Sequence, residues 1–326
     1  MGERGIEILK QYDMQFLNTQ RARGAILCIT ENEKFLLKEY RGTIKRLEFE
    51  YEILKTVKEQ GYHYVDNYIR NREGEILSRE NDRDKYVLKE WYEGRECDVK
   101  NQNEILEAVH QLAVLHRILR NIEPQESWTM GSVKVPSLLK EYEKHNKELK
   151  RVRNYMRSKR KKTEFELRAI NSYDLFYEQA SRAFEGLKEL MEQEPILSEK
   201  KLCHGEFSHH HIVFGNDYTA IIDFSKMHLE VQIADLYYFM RKIMEKNQWD
   251  LKLAKQMLDT YQTVLPLTYG EMQYLYYLFL YPEKYWKQIN FYYNANKAWM
   301  PSRHMEKLCA LEEQFEAKET FLNEIW

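Results

Sequence analysis

The chain is poor in glycine, proline and cysteine, with 12, 6 and 4 of each in 326 residues. Cys28, Cys97, Cys203 and Cys309 stand far apart and form no C-x-x-C pair, which argues against a zinc ribbon or a dithiol redox motif and fits reduced thiols in a cytoplasmic protein. A run of about 18 uncharged apolar residues, the least that reads as a membrane span, is absent. The opening MGERGIEILKQYD has no apolar segment of signal-peptide length, and Ile6 stands where a myristoylation signal needs Ser or Thr. Gly/Ser linkers, internal repeats and low-complexity tracts are also missing. Excess charge of one sign is lacking too: 50 Lys and Arg against 52 Asp and Glu give a net charge of -2, so no overall attraction to nucleic acid or membrane is expected. Glycine scarcity bears on chemistry. Between a first strand near 16–19 and Ala25 the connection RARG holds only Gly24, so there is no G-x-G-x-x-G phosphate loop, and Arg21 and Arg23 remain as cations for phosphate.

What the chain does have is a hydrophobic fraction of 43%, enough for a substantial core, and a length suited to about two domains. Its densest chemistry lies in LCHGEFSHHHIVFGNDYTAIIDF, from Leu202 to Phe224, which carries His204, Glu206, His211 and Asp223. Two β-rich runs, 212–214 and 219–222, flank Gly215, Asn216 and Asp217, so the segment reads as a loop followed by a hairpin. Residues ahead of the first strand and Asp223 at the end of the second would face one cleft. Two carboxylates within reach of one substrate is the geometry of phosphoryl transfer.

That string resembles the H-G-D-x-x-x-x-N loop of the aminoglycoside phosphotransferase and choline kinase group, followed by the metal-binding Asp of the kinase-like fold. Glu206 stands where that group has its catalytic Asp, and His211 where it has a metal-binding Asn. Within the group, CHGEFSHHHIVF, IADLYYFMRKIMEKNQW and YPEKYWKQINFYYNANKAW resemble the CotS family of bacterial spore coat proteins. The resemblance covers nearly the full length. It implies an α+β, two-lobed protein kinase-like fold: a sheet-bearing N-terminal nucleotide-binding lobe over 1–93, and a mainly helical C-terminal lobe over 94–326. It also implies ATP and Mg as cofactors. Glu206 would orient or deprotonate a substrate hydroxyl with His204 beside it in the catalytic loop, and His211 and Asp223 would hold the metal. Each departure has a physical effect. The extra methylene of Glu206 moves its carboxylate by roughly 1 Å, enough to lower a rate on the order of a hundredfold. An imidazole at 211 suits softer metals than magnesium.

In the N-terminal part, 25–30 and 35–40 read as a hairpin joined by Glu31, Asn32 and Glu33. Lys38 shares a strand face with Leu36. Periodicity alone reads it as a solvated lysine on an edge strand; the resemblance implies a contact with the nucleotide phosphates and a pairing with a helix glutamate. A helix over 43–60 carries Leu47, Ile53, Leu54 and Val57 on one stripe, with Gly61 as its stop. Glu50 points the same way and needs a partner such as Lys38. KYVLKEWYEG, 85–94, runs from a buried strand to a glycine stop and resembles the hinge between lobes, where backbone groups of Glu90, Trp91 and Tyr92 would pair with adenine.

Further on, His116 sits on the apolar face of a helix over 104–119. It reads as a core histidine bonded to backbone, and LAVLH is similar to the helix that supports the catalytic loop. Cys203 reads as packing, since no base is placed beside it. Three consecutive histidines, 209–211, cannot all face one ion, so a zinc or nickel site ranks below a structural reading in which His204 braces the loop. Ser208 lacks the G-x-S-x-G of a serine hydrolase. From Lys150 to Lys162 there are eight positive charges in 13 residues and no acid. This run reads as a solvated helix end and loop, or as an anion contact to nucleic acid, a phosphorylated polymer or an acidic neighbour in an assembly; with no aromatic interleaving beyond Tyr155, nucleic acid ranks low. The aromatics of 269–299 read as core, with room for some rings to line a cleft.

Two functions follow as expectations. The first is a spore coat-associated kinase-like protein of assembly role with a degenerate ATP site, made in the mother-cell cytoplasm, moving to the spore coat, and partnered by other coat proteins. The alternative is an active ATP-dependent phosphotransferase acting on a hydroxyl of a sugar or amino alcohol. Lys38, Glu50 and Asp223 favour the second; Glu206 and His211 favour the first.

Overall fold

A computed structural model describes residues 7–22, 24–80, 84–295 and 301–326. Its first part is a six-stranded antiparallel sheet. Strands β1 (Asn18–Ala22), β2 (Ala25–Ile29) and β3 (Lys34–Glu39) lead to helix α1 (Ile44–Glu59), followed by β4 (Tyr68–Ile69), β5 (Ser78–Arg79) and β6 (Lys85–Glu90). The order is β1-β2-β3-β6-β4, with β5 on the far end of β6. Ala22 pairs with Ala25, so β1 and β2 are joined by a tight turn in which Gly24 takes φ +73°. That turn is too short to wrap a phosphate. Arg21 is exposed on β1, and Arg23 lies outside the described residues.

Period-two alternation splits the sheet into two faces. Ile26, Cys28, Phe35, Leu37, Tyr86 and Leu88 pack under Ile8, Leu9 and Tyr12 in a small core of their own. On the other face, Lys38 stands opposite Ala25 and Val87, and Leu36 stands opposite Leu27 and Lys89. This second face turns towards α1, and Val87 joins the main core there. α1 starts where Thr43 accepts a hydrogen bond from the Arg46 amide and ends beside Gly61 at φ +90°.

The rest is mainly helical. After β7 (Arg95–Glu96) come α2 (Gln102–Arg120), α3 (Leu138–Ser158), α4 (Glu164–Asn171) and α5 (Tyr173–Gln193). Then β8 (Lys201–Cys203), β9 (Ile212–Phe214), β10 (Thr219–Ile221) and β11 (His228–Glu230) form two small sheets. Helices α6 (Ile233–Lys246), α7 (Leu251–Val264), α8 (Tyr269–Leu280), α9 (Glu283–Asn294), α10 (Ser302–Glu313) and α11 (Phe315–Ile325) complete the chain. The architecture is the two-lobed kinase-like α+β fold. Most aromatics of 269–295 are core: Tyr281 stacks on Tyr142 at 3.6 Å, Tyr285 on Phe176 at 4.4 Å and Tyr292 on Phe165 at 5.4 Å. Trp299 lies outside the described residues. No helix among the described residues is long and apolar enough to cross a membrane.

The basic run is largely absorbed. Arg153 bonds Asp174 at 2.9 Å, Lys159 pairs with the buried Glu166, and Lys150 and Arg151 lie over the rings of Tyr177 and Tyr293. Lys162 donates to the Lys159 carbonyl. Arg157, Arg160 and Lys161 remain exposed at the end of α3 and in the following loop.

Candidate functional site

The loop between β8 and β9 is held from below by one carboxylate. Asp235, in the first turn of α6 and 1% exposed, accepts hydrogen bonds from the His204 amide (2.6 Å) and the Gly205 amide (2.9 Å). Burial alone would raise its pKa, but the His116 contact, with the Gly205 amide, outweighs this and holds the carboxyl below its ordinary range. His116 meets the Asp235 carboxylate at 3.1 Å and the Tyr261 hydroxyl at 2.7 Å. Burial pushes its pKa down, so the neutral ring donates from Nε2 to Asp235 and accepts at Nδ1 from Tyr261. His116 is thus the expected core histidine beneath the loop, with side-chain partners in place of backbone ones. Asp235, in the IADLYY string, has no charge partner visible in local sequence.

Gly205 takes φ +85°, and a Cβ there would lie 2.0 Å from the Lys226 carbonyl oxygen. His204 is fully buried; its Nε2 meets the Ile222 carbonyl at 3.1 Å and its Nδ1 accepts from the Glu206 amide at 3.3 Å. Both ring nitrogens are engaged, and burial pushes its pKa down to about 4. A ring so committed has no free nitrogen for a substrate, which corrects the catalytic assignment of His204: it braces the loop. Cys203 is buried with its thiol pushed well up by desolvation, in keeping with packing. Glu206 is exposed at the loop crest.

The rings of His209 and His210 lie 3.9 Å apart, and the three histidines take different partners. His209 faces Lys246 at 3.3 Å, His210 faces Glu96 at 2.5 Å, and His211 turns inward. Among the described residues no group of three or more His, Cys, Asp or Glu is arranged around a metal. His211 Nδ1 lies 2.8 Å from the Glu206 carbonyl, which places its proton there and leaves the Nε2 lone pair directed at Asp223, 3.9 Å away.

Asp223, two residues past β10, takes the left-handed conformation, φ 62° and ψ 68°. For a non-glycine residue this costs on the order of 1–3 kcal/mol and persists only where the surroundings impose it. Desolvation would raise its pKa, but the hydrogen bond from the Ser225 side chain and the charges of Lys89 and Lys38 hold it down to about 2. One carboxylate and one imidazole therefore face the same space. Magnesium prefers oxygen ligands, whereas manganese and later first-row ions accept this mixed set, so the residues fit a divalent transition ion better than magnesium.

The N-terminal residues arrive differently than expected. Lys38 is exposed on the cleft face of β3, and among the described residues it carries no ion pair. Glu50, 1% exposed, does not pair with it. Its partners are Arg46, one turn earlier at 2.5 Å, and the Tyr68 hydroxyl. Arg46 in turn donates to the carbonyls of Met227 (2.7 Å), Ser225 (3.0 Å) and Phe224 (3.3 Å). The physical reason is depth: Glu50 is sealed in the helix interface, where the neighbouring guanidinium reaches it and the exposed lysine does not. At the hinge, the Glu90 amide donates to Asn67 O and the Trp91 amide to Lys34 O, so neither is free for a base. The Glu90 carboxylate pairs with Lys58, Trp91 is 37% exposed, and the Tyr92 hydroxyl donates towards the carbonyls of His63 and Val65.

Sequence reasoning missed a second cation and acid. Lys89 of β6 and Asp66 form a buried pair at 2.7 Å, and Asp66 Oδ1 accepts from the Asp223 amide at 3.1 Å. The signal was Lys89 itself, a charge next to the apolar run Tyr86, Val87 and Leu88 and on the face of Val87.

With that geometry in view, residues 6–325 match the family of the spore coat putative kinase YutH. The chain belongs to this family. No curated protein matches it. Among solved structures it is similar to an aminoglycoside phosphotransferase from Alicyclobacillus acidocaldarius, with TM-score 0.83 and 14% identity, covering 97% of this chain and 93% of that one. It is also similar to a microcompartment-associated aminopropanol kinase (TM-score 0.60, 12% identity, 97% and 96% covered). A spectinomycin phosphotransferase in complex with ADP and spectinomycin gives TM-score 0.59 at 13% identity, with 97% of each chain covered. At such identities these likenesses establish the fold of this YutH-family chain, and its chemistry rests on its own residues.

Proposed function

We propose that this chain is a spore coat-associated kinase-like protein that binds ATP with a divalent cation through Lys38, His211 and Asp223, and that its turnover is weakened by Glu206. The observation that carries this reading is Asp223: a non-glycine residue kept at φ 62° with its carboxyl held at about 2, facing the His211 imidazole and lowered by the charge of Lys38, which carries no ion pair among the described residues. Strain and charge of that kind favour a bound cation. A divalent ion would supply neutralisation of phosphate charge there, Lys38 would meet phosphate oxygens, and Asp223 and His211 would hold the ion. The family supports residence in the coat, reached from the mother-cell cytoplasm, among other coat proteins. Balanced overall charge speaks against nucleic acid.

A second reading, phosphoryl transfer to a hydroxyl of a sugar or amino alcohol, is favoured by Glu206, whose exposed carboxylate is of the type that receives a hydroxyl proton. Calorimetric titration with ATP, first with magnesium and then with manganese, tests the first reading on the wild type, Lys38→Ala and Asp223→Asn. Saturable binding lost in both variants supports a nucleotide site. No binding at millimolar ATP with either metal makes the fold a scaffold.

A further inference from the structure

Segment 64–67 meets the end of β10 in a single parallel bridge. The Ile221 amide donates to the Tyr64 carbonyl at 3.0 Å, and Val65 bridges Ile221. Two residues on, where a continued ladder would offer a backbone carbonyl to the Asp223 amide, the chain turns left-handed and the Asp66 carboxylate takes that place at 3.1 Å. Its other oxygen is fixed by Lys89 at 2.7 Å. Asp66 and Lys89 are each 8% exposed. Lys89 also lies 4.7 Å over the ring of Tyr68, whose hydroxyl bonds Glu50, the partner of Arg46. The stretch from Asp223 to Met227 is therefore gripped at both ends: at its first amide by Asp66, and at three later carbonyls by Arg46.

A buried ion pair is a poor source of stability, because replacing it by apolar residues of similar volume is often neutral or stabilising. Its retention here has a geometric use. We propose that Asp66, anchored by Lys89, is a positioning residue that sets Asp223 in its left-handed conformation and thereby aims its carboxylate at the divalent cation of a bound nucleotide. This rests on the nucleotide reading above. Asp66 does not touch the nucleotide; it acts through the Asp223 amide.

The test separates positioning from folding. Asp66→Leu with Lys89→Met removes the pair without leaving a lone buried charge, and removes the acceptor for the Asp223 amide. ATP is titrated with and without manganese, and the thermal midpoint is measured alongside. The expected result is a midpoint close to wild type, unchanged affinity for metal-free ATP, and a roughly ten- to hundredfold loss of the affinity gained on adding manganese. Asp66→Asn with Lys89→Met keeps an oxygen for the Asp223 amide and should recover most of that gain. Should the Leu and Met protein not fold, Asp66→Ala with Lys89→Met carries the same comparison. A folded variant lacking the acceptor that keeps the full manganese-dependent gain overturns the proposal, as does failure of the Asn variant to recover. A wild type with no metal-dependent ATP binding overturns the nucleotide reading and this one with it, whereas equal binding by wild type and variant overturns this one alone.

Discussion

Arg46 neutralises Glu50 one helical turn away, and Lys38 does not. The pair is nearly sealed, with side chains 10% and 2% exposed, and Arg46 extends from α1 to three carbonyls of the stretch after Asp223. In this chain the helix glutamate supports an arginine that couples α1 to the stretch after Asp223, and the strand lysine carries no ion pair among the described residues.

Separate roles for these residues predict separate losses. Arg46→Ala leaves Glu50 buried without its cation and should destabilise the fold by about 3–5 kcal/mol. Lys38→Met, at an exposed position, should change stability by no more than about 0.5 kcal/mol while weakening ATP binding. Urea denaturation of both variants checks this. Equal stability of Arg46→Ala and wild type would refute the coupling.

The donor set predicts a metal preference. With His211 Nε2 3.9 Å from Asp223, manganese should support ATP binding better than magnesium. His211→Asn supplies an amide oxygen in place of the imidazole nitrogen and should shift preference towards magnesium. Titration of both proteins with both ions reads this out, and an unchanged ratio of affinities would remove His211 from the metal site.

The fold was legible where periodicity is strong. The strands around 25–40, the helix at 43–60 and the hairpin at 212–222 lie within one or two residues of expectation, because alternation and spacing are properties of the local sequence. Partnerships across the cleft were not legible. The need of Glu50 for a cation followed from its apolar stripe, but choosing Arg46 over Lys38 required knowing which cation reaches that depth. Asp66 and Asp235 were invisible for a related reason: each acts on backbone amides more than a score of residues away, and no spacing rule encodes such a contact. Half the basic run was likewise absorbed by partners from α4, α5 and α9 that the run itself does not announce.

The buried His204 predicts acid sensitivity with a definite sign. Its folded pKa, depressed to about 4, lies below the ordinary value near 6.5 of an unfolded histidine, so on acidification the unfolded chain binds a proton first. The contribution of His204 to stability is complete above about pH 6.5 and is lost as pH falls towards 4, to a total of about 3 kcal/mol. His116, also depressed by burial, adds in the same direction. Thermal midpoints measured from pH 4.5 to 7.5 should fall on acidification, and His204→Gln should reduce that slope. An unchanged slope would mean the ring is not buried neutral.

The basic run predicts a contrast between neighbours. Lys159 pairs with Glu166, which is fully buried and also bonded by the Tyr292 hydroxyl, so Lys159→Ser should destabilise the protein by roughly 1–3 kcal/mol through an unpaired acid. Arg157, Arg160 and Lys161 are exposed and carry no ion pair among the described residues. Replacing all three by Ser should leave the thermal midpoint and ATP affinity near wild type, yet lower incorporation into the coat if this surface meets an acidic neighbour there. Fractionated spores carrying each variant supply the measurement. Undiminished incorporation of the triple variant would free the coat role from this patch, and a destabilised triple variant would show that these three charges also have structural partners.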